Sequence, residues 1–155
     1  MKIAILAPSG VPYAVGGAEK LWWGLLEGIR AHTDHEVELI KVPSPERNMR
    51  EIIASYRYFS GLELNHFDLV VSTKYPAWMA WHWNHIVYLQ HKLRGLYDTY
   101  PVPMPTTMTE WPESLGGLEK CLSADTTREN REPLFRELER LQAELEPQFW
   151  DEWFA

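Results

Sequence analysis

The first thirty residues restrict the fold of this chain more than any other segment. A short apolar run, residues 3–7 (IAILA), stops at Pro8, and a glycine-containing loop, residues 8–17, follows. Apolar side chains then recur at helical spacing over residues 18–29, which predicts a helix. A strand followed by a loop and then by the first turn of a helix directs backbone N–H groups at one point. The positive end of the helix dipole is directed at the same point, and this arrangement suits a phosphate. In open α/β sheets that point lies beyond the carboxyl ends of the strands.

Strands and helices continue to alternate along the first two-thirds of the chain. Three further strands and one further helix are predicted: residues 36–42, 67–73 and 85–90, and residues 49–56. The tryptophan-rich segment 75–83 is predicted to be a short helix or turn. The resulting order βαβαβαβ predicts an α/β fold with a doubly wound, Rossmann-like parallel sheet and flanking helices.

The chain changes character after His91. Residues 92–112 contain four prolines, so a long loop is expected there. A short helix is predicted at residues 113–121, and a leucine stripe predicts a longer one at residues 130–146. We expect a single domain over residues 1–155, with a core at 1–91, the proline-rich loop at 92–112 and a helical segment at 113–155. Four strands are few for such a sheet, so we expect the chain to be part of a larger architecture.

Composition excludes several classes of partner and compartment. The formal net charge is −7 and no run of Lys or Arg occurs, which argues against nucleic acid binding. One cysteine, Cys121, forms no intrachain disulfide and fits a reducing cytoplasm. A peripheral position at the inner face of a membrane is the alternative localisation. The last seven residues, FWDEWFA, hold four large aromatic rings, so we expect a homo-oligomer, with folding back onto helix 130–146 as the alternative.

Three segments resemble a known family. MKIAILAPSGVPYAVGGAE, DLVVSTKYPAW and HIVYLQHKLRGLYDTYP are similar to the amino-terminal domain of family-4 retaining glycosyltransferases, which have the GT-B architecture. The resemblance covers roughly residues 1–100. GGAE, residues 16–19, matches the Gly-Gly-x-Glu loop that opens the first helix in that family, and the strand that leads to His91 matches the one that delivers a histidine to the cleft between domains.

The resemblance implies one half of a GT-B enzyme that moves a sugar from a nucleotide-sugar donor to an acceptor hydroxyl with retained configuration. Such a hexosyltransferase-type enzyme would act in polysaccharide biosynthesis, with a carbohydrate or lipid-linked acceptor and no cofactor or metal. Most of the donor site would lie on a further domain, so the isolated chain is expected to be inactive. The alternatives are a stand-alone acceptor-binding subunit of a split glycosyltransferase and a non-enzymatic Rossmann-like domain.

The same resemblance implies roles for four residues, and a fifth, Arg94, is a candidate because it follows His91; each has a structural alternative. Gly16 and Gly17 would let a diphosphate approach the backbone. The structural alternative is an ordinary turn between strand and helix. Any positive φ at Gly17 would also need glycine. Glu19 would touch the donor sugar or cap the first helical turn. His91 would be catalytic, near the transferred sugar, or be held by a backbone carbonyl. Arg94 would contact the acceptor or its phosphate, or be a solvated loop residue.

Two other groups of side chains allow a second interpretation. His82, His85 and His91 lie too far apart along a strand, about 20 Å at strand rise, for one metal ion to reach all three. The Trp78–Trp83 cluster is open to three interpretations: a platform for sugar stacking, a patch facing lipid, and core packing.

Overall fold

The structure is a computed structural model, and it describes residues 1–10, 13, 15–90, 113–124 and 131–144. Four strands form one sheet: β1 Lys2–Ser9, β2 Glu36–Pro43, β3 Leu69–Ser72 and β4 His85–Val87. The strand order is β2-β1-β3-β4, and every neighbouring pair is parallel. The predicted α/β fold with a parallel sheet is therefore confirmed.

Four helices accompany the sheet within the described part of the chain: α1 Gly17–His32, α2 Met49–Ser60, α3 Gly116–Ser123 and α4 Glu132–Glu144. Helix α2 begins where it does because Asn48 Oδ1 accepts a hydrogen bond from the Glu51 N–H at 2.9 Å. Short 3₁₀ turns lie at Ala77–Met79 and Glu113–Leu115. None of the helices described is long and apolar enough to cross a membrane.

The sheet register places helices on both faces. Ala4 and Leu6 point to the face on which Phe59 of α2 packs, because they lie opposite Val70 and Ser72 in the ladder. The alternate side chains of the same strand, Ile3 and Ile5, point to the other face and pack with Leu26 of α1. Helices α1 and α2 therefore cover opposite faces.

Strand β1 is longer than predicted and continues through Pro8. The Leu6 carbonyl accepts from the Thr73 N–H at 3.2 Å, and the Ser9 carbonyl accepts from the Ser44 N–H at 2.8 Å. Because successive residues of a strand face alternate neighbours, Pro8 faces the β3 side, where β3 has already ended. The missing N–H of the proline therefore breaks no ladder bond.

Strands β3 and β4 are shorter than predicted. The Tyr88 N–H still donates to the Ser72 carbonyl at 2.8 Å, but β3 ends there, so residues 89–90 have no strand beside them on that side. Strand β4 is also at the edge of the sheet. Its apolar continuation, residues 86–89, is between 37% and 54% exposed. An apolar run in this sequence thus marks an edge strand.

The carboxyl-terminal helices lie close to their predicted positions. Helix α3 follows a 3₁₀ turn and ends at Ser123, and α4 begins at Glu132 and is described as far as Glu144. Helix α4 buries Phe135 and Leu141, and Arg57 of α2 bonds its Glu132 at 3.0 Å. Residues 145–155 lie outside the described residues, so self-association and fold-back both stay predictions.

Candidate functional site

The carboxyl ends of all four strands meet at one edge of the sheet, because every strand is parallel to its neighbours. We call this the carboxyl edge. The segments after β1, β2, β3 and β4 all leave the sheet there. It is the edge at which open α/β sheets bind ligands.

The start of α1 lies at the carboxyl edge and presents backbone donors. Gly16 is the N-cap in extended conformation, with φ −116° and ψ −162°. The buried Glu19 carboxylate accepts a hydrogen bond from the Gly16 N–H at 2.8 Å through Oε2. The capping role foreseen for Glu19 is therefore present in the structure. The amides of Gly17 and Ala18 belong to the first turn, where no carbonyl of the same helix can accept from them.

Open space, rather than backbone conformation, distinguishes the two glycines. A Cβ added at Gly17 would meet no atom within 4 Å, whereas one at Gly16 would lie 3.2 Å from Glu19 Oε2. No glycine or other residue in the described part of the chain has a positive φ. Gly17 therefore has no positive φ that would require glycine, because it belongs to the first turn of α1. What glycine leaves at this position is room.

A lysine lies beneath the α1 side of this edge. Lys41, opposite Ala7 in the ladder, shares its face of β2 with Val37 and Leu39. Its Nζ lies 3.8 Å from the ring centroid of Tyr13 in the loop before α1, and 5.8 Å from that of Trp22. Lys41 Nζ and Trp22 Nε1 are both buried, and neither has a hydrogen-bond partner among the residues that the structure describes.

Neither Lys41 nor the indole N–H of Trp22 is among the site residues predicted from the sequence. The available signal was a charge on the inward face of a strand, since Val37, Leu39 and Lys41 alternate with outward residues and lysine is rarely buried without a partner.

A tyrosine–glutamate pair closes the opposite, α2 side of the edge. The Tyr75 hydroxyl donates to Glu46 Oε2 at 2.8 Å. Glu46 follows β2 and Tyr75 follows β3, so the bond passes over the end of the central strand β1. Burial, and then the bond to Glu46, hold the pKa of Tyr75 well above its usual range.

Because of this pair, the free energy of unfolding should fall as the pH rises in the alkaline range. The folded protein keeps the Tyr75 proton where the unfolded chain loses it, so the contribution is complete below about pH 10 and declines as the pH rises further. We expect Tyr75→Phe to remove up to about 1.4 kcal/mol per pH unit from the alkaline slope of the free energy of unfolding. Urea unfolding between about pH 8 and 11 measures this slope. Tyr58→Phe, at an exposed tyrosine, is the matched control, and an equal change in both variants would contradict the prediction.

The tryptophan and histidine clusters lie largely away from this edge. Trp81 and Trp83 precede β4 and so lie near the opposite edge of the sheet, where the strands begin, which we call the amino edge. They are 41% and 69% exposed. Trp78 packs edge-on against Tyr56, with ring centroids 6.4 Å apart. His82 is buried, and its Nδ1 accepts from the Asn84 N–H at 3.1 Å while Nε2 lies 3.0 Å from the Phe67 carbonyl. Both ring nitrogens of His82 are thus engaged by backbone.

The remaining candidates lie after β4. Gln90 is the last described residue of this segment, and its buried Nε2 has no partner within the described ranges. His91 and Arg94 lie outside the described residues, as does the rest of the loop, so their roles stay predictions. No group of three or more His, Cys, Asp or Glu side chains that could hold a metal ion occurs in the described ranges.

No protein-family model, curated protein or solved structure matches this chain. The fold is a parallel α/β sheet with helices on both faces, and the glycosyltransferase resemblance stays a prediction.

Proposed function

We propose that this chain is the Rossmann-like, amino-terminal and acceptor-side half of a retaining GT-B glycosyltransferase. The observation that carries the proposal is the start of α1 at the carboxyl edge, with Gly17 open to its surroundings. Unpaired first-turn amides and the helix dipole suit the diphosphate of a nucleotide-sugar donor. The Gly-Gly-x-Glu match at residues 16–19 adds the family resemblance to this geometry.

The proposed reaction breaks the bond between the anomeric carbon and the phosphate oxygen of the donor. A bond from the acceptor oxygen forms on the same face of the sugar, and the departing phosphate takes the acceptor's proton. The protein then needs no nucleophile. It needs N–H donors that stabilise the charge developing on the phosphate, and Gly17 and Ala18 offer such amides here.

His91 and Arg94 complete the proposal at the acceptor side. His91 comes four residues after β4 ends, and the preceding strand directs the chain to the carboxyl edge. We assign His91 a hydrogen bond near the transferred sugar, and Arg94 a contact with a carbohydrate or lipid-linked acceptor. Most of the donor site would belong to a second domain, and the reaction would take place in the cytoplasm.

The second candidate function is a stand-alone acceptor-binding subunit that pairs with a separate donor-binding chain. The exposed side of β4 favours a partner that covers it. Ile86, Tyr88 and Leu89 are each about half exposed, and among described strands β4 has β3 alone as its neighbour. Exposed apolar edges of this kind are usually covered. The covering unit would be continuous with this chain in the first candidate and a different polypeptide in the second.

The decisive experiment recovers the protein from its source with whatever is attached to it. The native protein, tagged internally in the exposed turn at residues 33–35, is incubated with labelled nucleotide sugars and with carbohydrate and lipid extracts of the same cells. Transfer of label with retained configuration supports the proposal. Hydrolysis alone overturns it, because no acceptor then receives the sugar. No reaction with any nucleotide sugar overturns it and leaves the non-enzymatic alternative.

Gly17→Val is expected to weaken binding of nucleoside diphosphate to the recovered enzyme about tenfold, because the branched side chain would occupy the space that the phosphate needs. The fold should tolerate the change, since no atom lies within 4 Å of the added Cβ. Titration calorimetry measures the affinity, and thermal unfolding measures the fold. Gly28→Val, a glycine of α1 with equal room but one near the opposite end of the helix, is the control. Unchanged affinity in Gly17→Val would show that the loop is merely a turn.

A further inference from the structure

Lys41 and Trp22 share an unmet requirement. The ammonium and the indole N–H are both donors, so neither can satisfy the other, and both are buried with no acceptor in the described part of the chain. An unpaired buried ammonium is costly, and proteins seldom keep one without use. What both groups lack is an atom bearing lone pairs.

The surroundings of Lys41 Nζ leave one side open to change. Two aromatic rings contact the ammonium, that of Trp22 in α1 and that of Tyr13 in the loop before α1. Trp22 is 1% exposed and fixed in the core, whereas Tyr13 is 58% exposed. Of these two rings, that of Tyr13 is therefore the one that can move without disturbing the core, and it lies in the loop that leads into α1.

We propose that Lys41 Nζ and Trp22 Nε1 form a binding site for a phosphate-type oxyanion beside the start of α1. A phosphate oxygen would accept from both groups at once, and the charge-assisted bond to lysine would be the stronger. The proposal rests on the proposed function in one respect: the natural oxyanion would be a phosphate of the donor. The site itself follows from the buried donors of this chain.

The chemistry selects an anion over a cation or a neutral sugar. A cation would be repelled by Lys41, and the Glu19 carboxylate at the start of α1 already accepts from the Gly16 N–H. A hydroxyl group would satisfy one donor but would leave the lysine charge without a counterion. An oxyanion supplies both lone pairs and negative charge.

Lys41→Met is the central test, with inorganic pyrophosphate as the probe and the full chain of 155 residues as the protein. Calorimetry should show pyrophosphate binding to the wild type and binding weakened about tenfold or more in Lys41→Met. Lys20→Met is the matched control: it removes the same charge from the first turns of α1, but at an exposed position. It should change the affinity by no more than about twofold.

Stability without the ion provides a second readout. Lys41→Met removes an unpartnered buried charge and keeps the length of the side chain, so the melting temperature should be unchanged or higher. A ring-packing role alone would lower it, since the cation–π contacts would be lost. Trp22→Phe removes the Nε1 donor and keeps an aromatic ring, and it should weaken pyrophosphate binding by about threefold. This variant keeps the test open if Lys41→Met does not fold.

The outcomes separate this site from the proposed function. Equal binding by wild type and a folded Lys41→Met, or binding by neither, overturns the site. If Lys41→Met does not fold, unchanged binding in Trp22→Phe overturns it. Phosphate binding as tight as pyrophosphate binding would identify a free phosphate as the ligand rather than a diphosphate. If pyrophosphate binding depends on Lys41 while the recovered protein transfers no sugar, the site stands and the glycosyltransferase proposal fails.

Discussion

Replacing His91 with alanine is expected to lower turnover of the recovered enzyme about 100-fold or more and to leave its stability almost unchanged. An imidazole that hydrogen-bonds the reacting sugar acts on charge that develops in the transition state, and removal of one such donor typically costs about two to three orders of magnitude. Strand β4 ends at Val87, four residues before His91, so the substitution changes no residue of the described strand pairs.

The measurement combines initial rates with thermal unfolding of the same samples. His35→Ala is the matched control, because His35 stands between α1 and β2 at the opposite, amino edge of the sheet. It should retain wild-type turnover. A His91→Ala enzyme with full activity would remove His91 from the site, and one that is inactive because it is unfolded would make the residue structural.

Much of the fold could be predicted because its first half repeats one simple pattern. The apolar run before Pro8 and the helical spacing after Gly17 correspond to β1 and α1, and the same reasoning finds β2 and α2. Periodicity reports which side of an element faces apolar surroundings, and a central strand with a helix packed on it produces a strong signal.

The ends of the later strands could not be predicted, because they depend on a neighbour far away in sequence. Residues 85–90 read as one continuous strand, yet the ladder ends near Tyr88 because β3 has no residue left to offer. Nothing within an apolar run tells whether a second strand will lie beside it. The exposure of Leu89 could not be predicted for the same reason.

The candidate site divides in a similar way. Gly16, Gly17 and Glu19 are adjacent in sequence, so their meeting at a helix start could be predicted from local pattern. Lys41 reaches the same region because the register sets it opposite Ala7, and the Tyr75–Glu46 bond needs both strand ends. Contacts of this kind require the register, and a single sequence does not contain it.

Phe59 is the most deeply buried side chain of α2. Its ring has no exposed surface and packs with Leu6 of β1 and Val70 of β3, so it joins the helix to both central strands. Those two strands carry the segments that lead to the start of α1 and to Tyr75. Loss of this contact would therefore disturb the position of these segments at the carboxyl edge.

Phe59→Ala is expected to lower the free energy of unfolding by about 3–5 kcal/mol, the cost of a buried phenylalanine and of the cavity that it leaves. A domain of this size has about 5–15 kcal/mol in total, so the variant should melt far below the wild type. Urea unfolding followed by circular dichroism measures the difference. The neighbouring Tyr58→Ala is the matched control, since Tyr58 is an aromatic residue of the same helix that is 62% exposed, and it should cost less than about 1 kcal/mol. Similar losses in the two variants would mean that α2 does not face the sheet through Phe59, and the predicted link between this helix and the carboxyl edge would fail with it.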